Sequence, residues 1–115
     1  MPRESKSTQL LSDAAIASMR GLGIRLREAR LRRNWTQALA ASKAGLSESS
    51  VKKVEQGTVN ITTAAYLALL DVYGLPTAMD TVLAPGDDTL GEELARSDTR
   101  QRARQPSGSD DEWGF

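Results

Sequence analysis

The sequence predicts an all-α fold of five helices, with an N-terminal arm on one side and an acidic C-terminal tail on the other. Three observations carry the prediction. Apolar residues recur at spacings of three and four through the middle of the chain, which is the period of one helix face. Ser12, Thr36, Ser47 and Thr62 or Thr63 stand just ahead of these runs, where a side-chain oxygen can accept from an unsatisfied backbone N–H. Gly45, Gly57 and Gly74 stand just behind them, where a left-handed residue ends a helix.

Residues 1–11 are polar without sustained periodicity and read as a loose arm. Ser12 then caps a run in which Ile16, Met19, Leu22, Leu26 and Ala29 share a face, while Arg25, Arg27, Arg32 and Arg33 point elsewhere. Gly21 and Gly23 weaken the middle of this run. They mark a place where it can divide into a short leading helix and a main helix ending near Arg33. Thr36 caps a second helix over 37–43, rich in alanines that let a neighbour approach closely. Ser47 opens a third only two residues after Gly45, its hydroxyl set to accept from the Ser50 N–H, and this helix runs to about Gln56. Two short helices joined by Gly-Leu-Ser form a tight helix-turn-helix unit.

Residues 58–61 form a loop. A fourth helix carries Ala64, Leu67, Ala68 and Leu70 to about Tyr73. Pro76 is placed for the first turn of a short fifth helix with Met79, Val82 and Leu83. After Ala84-Pro85-Gly86 the apolar density falls, and only Leu90 and Leu94 interrupt a charged stretch, enough for a weak helical turn or two. Beyond Ser97 the composition reads as disordered. The expected organisation is an arm over 1–11, a helical domain over 12–84 and a tail over 85–115.

Composition narrows the function. A chain of 115 residues holds one small domain, and small domains bury proportionally little surface, which favours a compact helical bundle or a dimer interface. Without cysteine there are no disulfides or thiolate metal sites, and without histidine the commonest general base and zinc ligand are missing. No phosphate-binding loop or nucleophile elbow occurs, so no enzyme, catalytic residue or cofactor is expected. The acidic pairs Asp87-Asp88 and Glu92-Glu93 and the run Asp110-Asp111-Glu112 lack calcium-loop spacing. No apolar run nears the roughly 18 residues that span a bilayer, and no signal-peptide core is visible. A cytoplasmic, nucleoid-associated protein without membrane contact is expected.

The formal charge of zero hides segregation. Residues 20–83 hold nine Lys/Arg against five Asp/Glu, a balance of +4, and residues 84–115 hold four against eight, a balance of −4. A basic core suggests an anionic ligand.

The string from Thr36 to Gly57, TQALAASKAGLSESSVKKVEQG, resembles the helix-turn-helix of the Xre family, to which lambda repressor and Cro belong. The matching positions are Thr36-Gln37, Ala41, Gly45, Ser47, Val51, Val54, Glu55 and Gly57, and the preceding Leu-Arg-Glu-Ala-Arg run fits as well. One departure is Ala40-Ala41, where the family usually carries Leu-Ala; Leu39 lies one residue early. The resemblance covers about residues 20–83 and implies a lambda-repressor-like fold that reads operator DNA as a homodimer.

By that resemblance Glu48, Ser49 and Lys53 take base-reading positions, with Lys52 beside them. Lys53 would donate to guanine O6 or N7. Glu48 either accepts from a cytosine amino group, pairs with Lys52, or only favours the positive end of its helix. Thr36 and Gln37, at the start of the second helix, would contact phosphate, with Gln37 clamping the backbone as in the family. Gln56, Asn60 and Thr63 either add neutral phosphate contacts or merely cap loops. An Arg30–Glu55 pair is implied as a structural tie, and Trp35 reads as a core anchor. The dimer would form through Met79, Val82 and Leu83, with Tyr73 and Leu75 beside them, unless these residues close the monomer core.

A narrower resemblance concerns residues 65–75, the Asp87-to-Gly91 segment and the Arg-rich stretch after it. These look like HipB-type antitoxins, which repress their own operon and bind a HipA-type kinase toxin. Two of the five aromatics, Trp113 and Phe115, fall in the last three positions of an acidic segment. They suit a tail that docks on a partner. The expected function is therefore operator binding and repression by the antitoxin of a type II toxin–antitoxin module. The alternative is a stand-alone phage-type or chromosomal repressor.

Overall fold

The computed structural model describes residues 6–104. Among these residues lie six α-helices, one 3-10 turn and no strand. The helices are α1 (Lys6–Gln9), α2 (Asp13–Arg32), α3 (Gln37–Ala44), α4 (Glu48–Glu55), α5 (Thr63–Val72) and α6 (Thr89–Arg104), and the 3-10 turn is Ala78–Thr81. The all-α expectation holds, with six helices in place of five. The chain forms two compact units, residues 1–78 and residues 79–115.

In the first unit the capping residues stand where the sequence puts them. Ser12 accepts from the Ala15 N–H at 3.1 Å, Thr36 from Leu39 at 3.0 Å and Ser47 from Ser50 at 3.1 Å. Each satisfies a donor that a helix start leaves open, worth about 1 kcal/mol. Thr62 precedes α5 without a side-chain cap bond. The core gathers Leu26 and Ala29 from α2, Ala40 and Ala41 from α3, Val51 and Val54 from α4, and Ala65, Tyr66, Leu69 and Leu70 from α5, closed by Tyr73. α4 packs against α2, α3 and α5. The departure at Ala40-Ala41 thus packs well: both alanines are buried and Leu39 faces outward. The buried face of α5 includes Leu70 but not Ala64 or Leu67, which are exposed.

The division at Gly21 and Gly23 does not occur, since α2 is one helix of 20 residues. Gly23 serves close approach instead. A Cβ there would stand 2.7 Å from Val54 O, Glu55 O and Gly57 N, and one on Gly57 would stand 2.5 Å from Arg20 Cα. The two glycines let the backbone of α2 and the end of α4 touch. This contact fixes how α4 lies on the domain.

Three further differences have local causes. Where the sequence predicts a loose arm, Lys6–Gln9 form a helical turn, and Thr8 Oγ1 donates to Asn60 Oδ1 at 3.0 Å. The fifth helix is only the 3-10 turn, and it ends before Leu83, whose φ of 58° lies in the left-handed region and stops propagation. Met79, Val82 and Leu83 are exposed, whereas Tyr73 is buried in the core. Where the sequence predicts only a weak helical turn or two around Leu90 and Leu94, and disorder beyond Ser97, the 16 residues of α6 form one helix. Asp88 caps it by accepting from the Gly91 N–H at 3.0 Å, and Glu92 accepts from the Gly86 N–H at 2.9 Å. Arg96–Glu93 and Arg102–Asp98 pair along it. Composition reports what can be buried, and α6 is held by caps and i, i+3 or i, i+4 pairs instead.

Candidate nucleic-acid interface

The helix α4 is two-faced. Val51 and Val54 are fully buried, while Glu48, Ser49, Lys52 and Lys53 are all exposed. The left-handed Gly45 (φ 70°) and the Ser47 cap turn the chain sharply between α3 and α4. Glu48 forms no ion pair with Lys52 among the described residues.

What holds α4 at its angle is a buried tie. Arg30 Nε and Nη2 donate to Glu55 Oε2 and Oε1 at 2.7 and 3.0 Å, and Arg30 Nη1 donates to the Trp35 carbonyl at 2.8 Å. The hydrogen bonds to Glu55 push Arg30 above its already high ordinary pKa, against the opposing effect of burial. Arg30 therefore stays a cation, and a forked guanidinium–carboxylate pair also fixes orientation. Gln37 Nε2 adds a third donor to Glu55 Oε1 at 3.0 Å. The residue expected to clamp phosphate is thus oriented by the tie that seats α4.

Gln37, Lys52 and Gln56 line one open cleft of about 350 Å³ with Arg27 and Glu55. Sequence alone reads Arg27 as one of several arginines pointing away from the core face. The available signal was its position three residues before Arg30 on the same helix, which gives the two a shared side. Thr36, Asn60 and Thr63 are exposed, outside the cleft lining. The Thr36 hydroxyl oxygen is engaged as the α3 cap, and Asn60 Oδ1 accepts from Thr8. Trp113 and Phe115, the expected docking anchors, lie outside the described residues.

Arg33 and Trp35 both pack around Tyr73. Arg33 donates to the carbonyls of Ala29 and Tyr73 at 2.8 and 2.7 Å and lies over the Tyr73 ring. Trp35 packs on the core with its ring centroid 5.7 Å from that of Tyr73, as an anchor would. Among the described residues no group of acidic side chains could hold a metal ion, and no helix is long and apolar enough to cross a membrane.

The search among curated proteins and the search among solved structures each found no match. The family model of the helix-turn-helix domain matches residues 21–81, more than half of the chain. That span begins within α2 and carries the capped pair α3–α4, the Arg30–Glu55 tie and α5. The match identifies these residues as a DNA-binding module. The chain belongs to the helix-turn-helix domain family, as an Xre/Cro-like DNA-binding domain with a transcription-regulatory function.

Proposed function

We propose that the protein is a transcriptional repressor that binds operator DNA as a homodimer, with α4 in the major groove. The observation that carries this reading is the exposed row Glu48, Ser49, Lys52 and Lys53 on a helix whose other face is fully buried. One α-helix fits a major groove, where each base pair presents its own donor and acceptor pattern. Lys53 reads guanine, with Ser49 and Glu48 beside it. Gln37, Lys52, Arg27 and Gln56 hold the phosphates that border the groove, and Thr36, Asn60 and Thr63 add neutral contacts. Pairing sets two such helices about 34 Å apart, one DNA turn, and doubles the sequence read. Met79, Val82 and Leu83 are exposed and available to that pairing. Such a protein works on the nucleoid in the cytoplasm.

Lys53→Ala and Gln37→Ala separate reading from clamping. In fluorescence anisotropy with a duplex series from the protein's own promoter, Lys53→Ala narrows the gap between preferred and mismatched sites by about 1–3 kcal/mol. Gln37→Ala weakens every duplex alike. A uniform loss for Lys53→Ala removes it from the base-reading set.

A second reading makes this repressor the antitoxin of a HipA-type kinase and the regulator of its own operon. It is favoured by Trp113 and Phe115 in an acidic segment, where rings serve no solvated purpose. Removing residues 110–115 should then abolish capture of a kinase encoded beside it while leaving DNA affinity unchanged. Retained capture would leave the stand-alone repressor.

A further inference from the structure

The second unit presents an unpartnered helix. No described residue of this unit is buried, and Leu90 and Leu94 on α6 are 70% and 61% exposed. At helical spacing these two leucines continue through Ser97 and Gln101 as one stripe. The charges of α6 and its cap are divided. Asp88, Glu92 and Glu93 lie at its start, and Arg96, Arg100, Arg102 and Arg104 follow from its middle onward, with Asp98 the one acid among them. An isolated helix of about this length is marginal in water. An order matched to the helix dipole stabilises it but gives no reason for the leucines.

We infer that α6 is a self-association surface: two copies of this chain pair their α6 helices antiparallel. Charge complementarity selects this occupant. An axis midway between Leu94 and Ser97 sets Leu94 of one copy against Ser97 of the other, and Leu90 against Gln101. The same axis brings Glu93, beside the stripe, opposite Arg100, and two-fold symmetry makes that pair twice. A parallel pairing sets acid beside acid and is disfavoured. The surface is smaller than a standard interface, so the dimer is weak and concentration-dependent. For its role the inference rests on the two-fold operator reading, since pairing at α6 joins two DNA-binding domains; the association itself is measured without DNA.

The test is sedimentation equilibrium of the full chain at low salt, with Glu93→Arg and Arg100→Glu run singly and as an equimolar mixture. Both positions are exposed, and circular dichroism checks that each variant keeps its helix content. The unmodified chain should show reversible monomer–dimer association. Each single variant should associate about tenfold more weakly, because each puts like charges opposite one another twice. The mixture should regain the original strength, since pairing between the two unlike chains again sets a cation against an anion at both contacts. Local effects on either helix cannot produce that recovery. A chain that stays monomeric, single variants that associate normally, or a mixture no stronger than its parts each overturns the inference. Loss of promoter binding with association intact would sink the operator reading alone.

Discussion

Glu55 accepts three hydrogen bonds, two from Arg30 and one from Gln37, and this one carboxylate joins α2, α3 and α4. Removing either member of such a buried pair costs about 3–5 kcal/mol, mostly because the other charge is left unpaired. The pair thus secures geometry more than net stability. The tyrosines behave differently. Burial pushes both Tyr66 and Tyr73 above their ordinary value of 10.0. The folded state then holds these protons more tightly than the unfolded chain. Their contribution is complete below about pH 10 and is lost as pH rises through the raised folded-state values. With no histidine or cysteine, the melting temperature followed by circular dichroism should be nearly flat from about pH 6 to 9 and fall above about pH 10. Tyr66 donates to the Thr58 carbonyl at 2.9 Å, but the buried Tyr73 hydroxyl has no hydrogen-bond partner among the described residues. Tyr73→Phe should therefore shrink the alkaline fall without lowering stability at neutral pH. An undiminished fall in that variant would contradict the assignment.

Helix α2 contains two glycines whose substitution should have opposite signs. Propensity alone favours alanine at both by roughly 0.5–1 kcal/mol. At Gly21 the nearest atom to an added Cβ is Arg25 Nη1 at 3.1 Å, the far end of a flexible side chain. At Gly23 the nearest atoms are backbone of α4 and Gly57 at 2.7 Å, which cannot give way without lifting α4 off the domain. Overpacking of this kind costs about 1–3 kcal/mol and exceeds the propensity gain. Urea unfolding should show Gly21→Ala stabilised by up to about 1 kcal/mol and Gly23→Ala destabilised by about 1–2 kcal/mol after the gain is subtracted. If Gly23→Ala were as stable as the parent, the close contact would not be what seats α4. The turn between α2 and α3 relies on Asn34, whose φ of 58° is one of the two left-handed values outside glycine among the described residues. Asparagine tolerates that region better than most residues.

On the scale of the whole molecule, charge is divided between the two units. Residues 1–78 hold eleven Lys/Arg against six Asp/Glu, net +5, and residues 79–115 hold four against nine, net −5. Arg27 and Lys52 line the cleft beside the proposed groove face, which gives four phosphate-holding cations in a dimer. Each neutralised phosphate releases counterions, so operator affinity should fall about a hundredfold between 50 and 200 mM salt. A plot of log affinity against log salt should be linear with a slope of about −3.6, by about 0.9 for each of these contacts. A slope near zero would remove these two side chains from the phosphate set.

The sequence by itself determined what depends on neighbours along the chain. Ser12, Thr36 and Ser47 cap helices because a hydroxyl needs only an N–H three residues on. Gly45 ends α3 because it can take a left-handed φ. Val51 and Val54 mark the inner face of α4 by their spacing, which leaves Lys52 and Lys53 outside. Only the tertiary structure decided what depends on distant backbone. Gly23 looks like a helix breaker until α4 is laid against it, and Arg27 looks like solvated charge until α3 and α4 close a cleft beside it. Met79 and Leu83 keep an apolar spacing that never becomes an α-helix. α6 persists without a buried residue, because its caps and charge pairs are geometric matches that composition does not count. Local chemistry therefore fixed the elements, and the contact between Gly23 and the end of α4 fixed the surface they present.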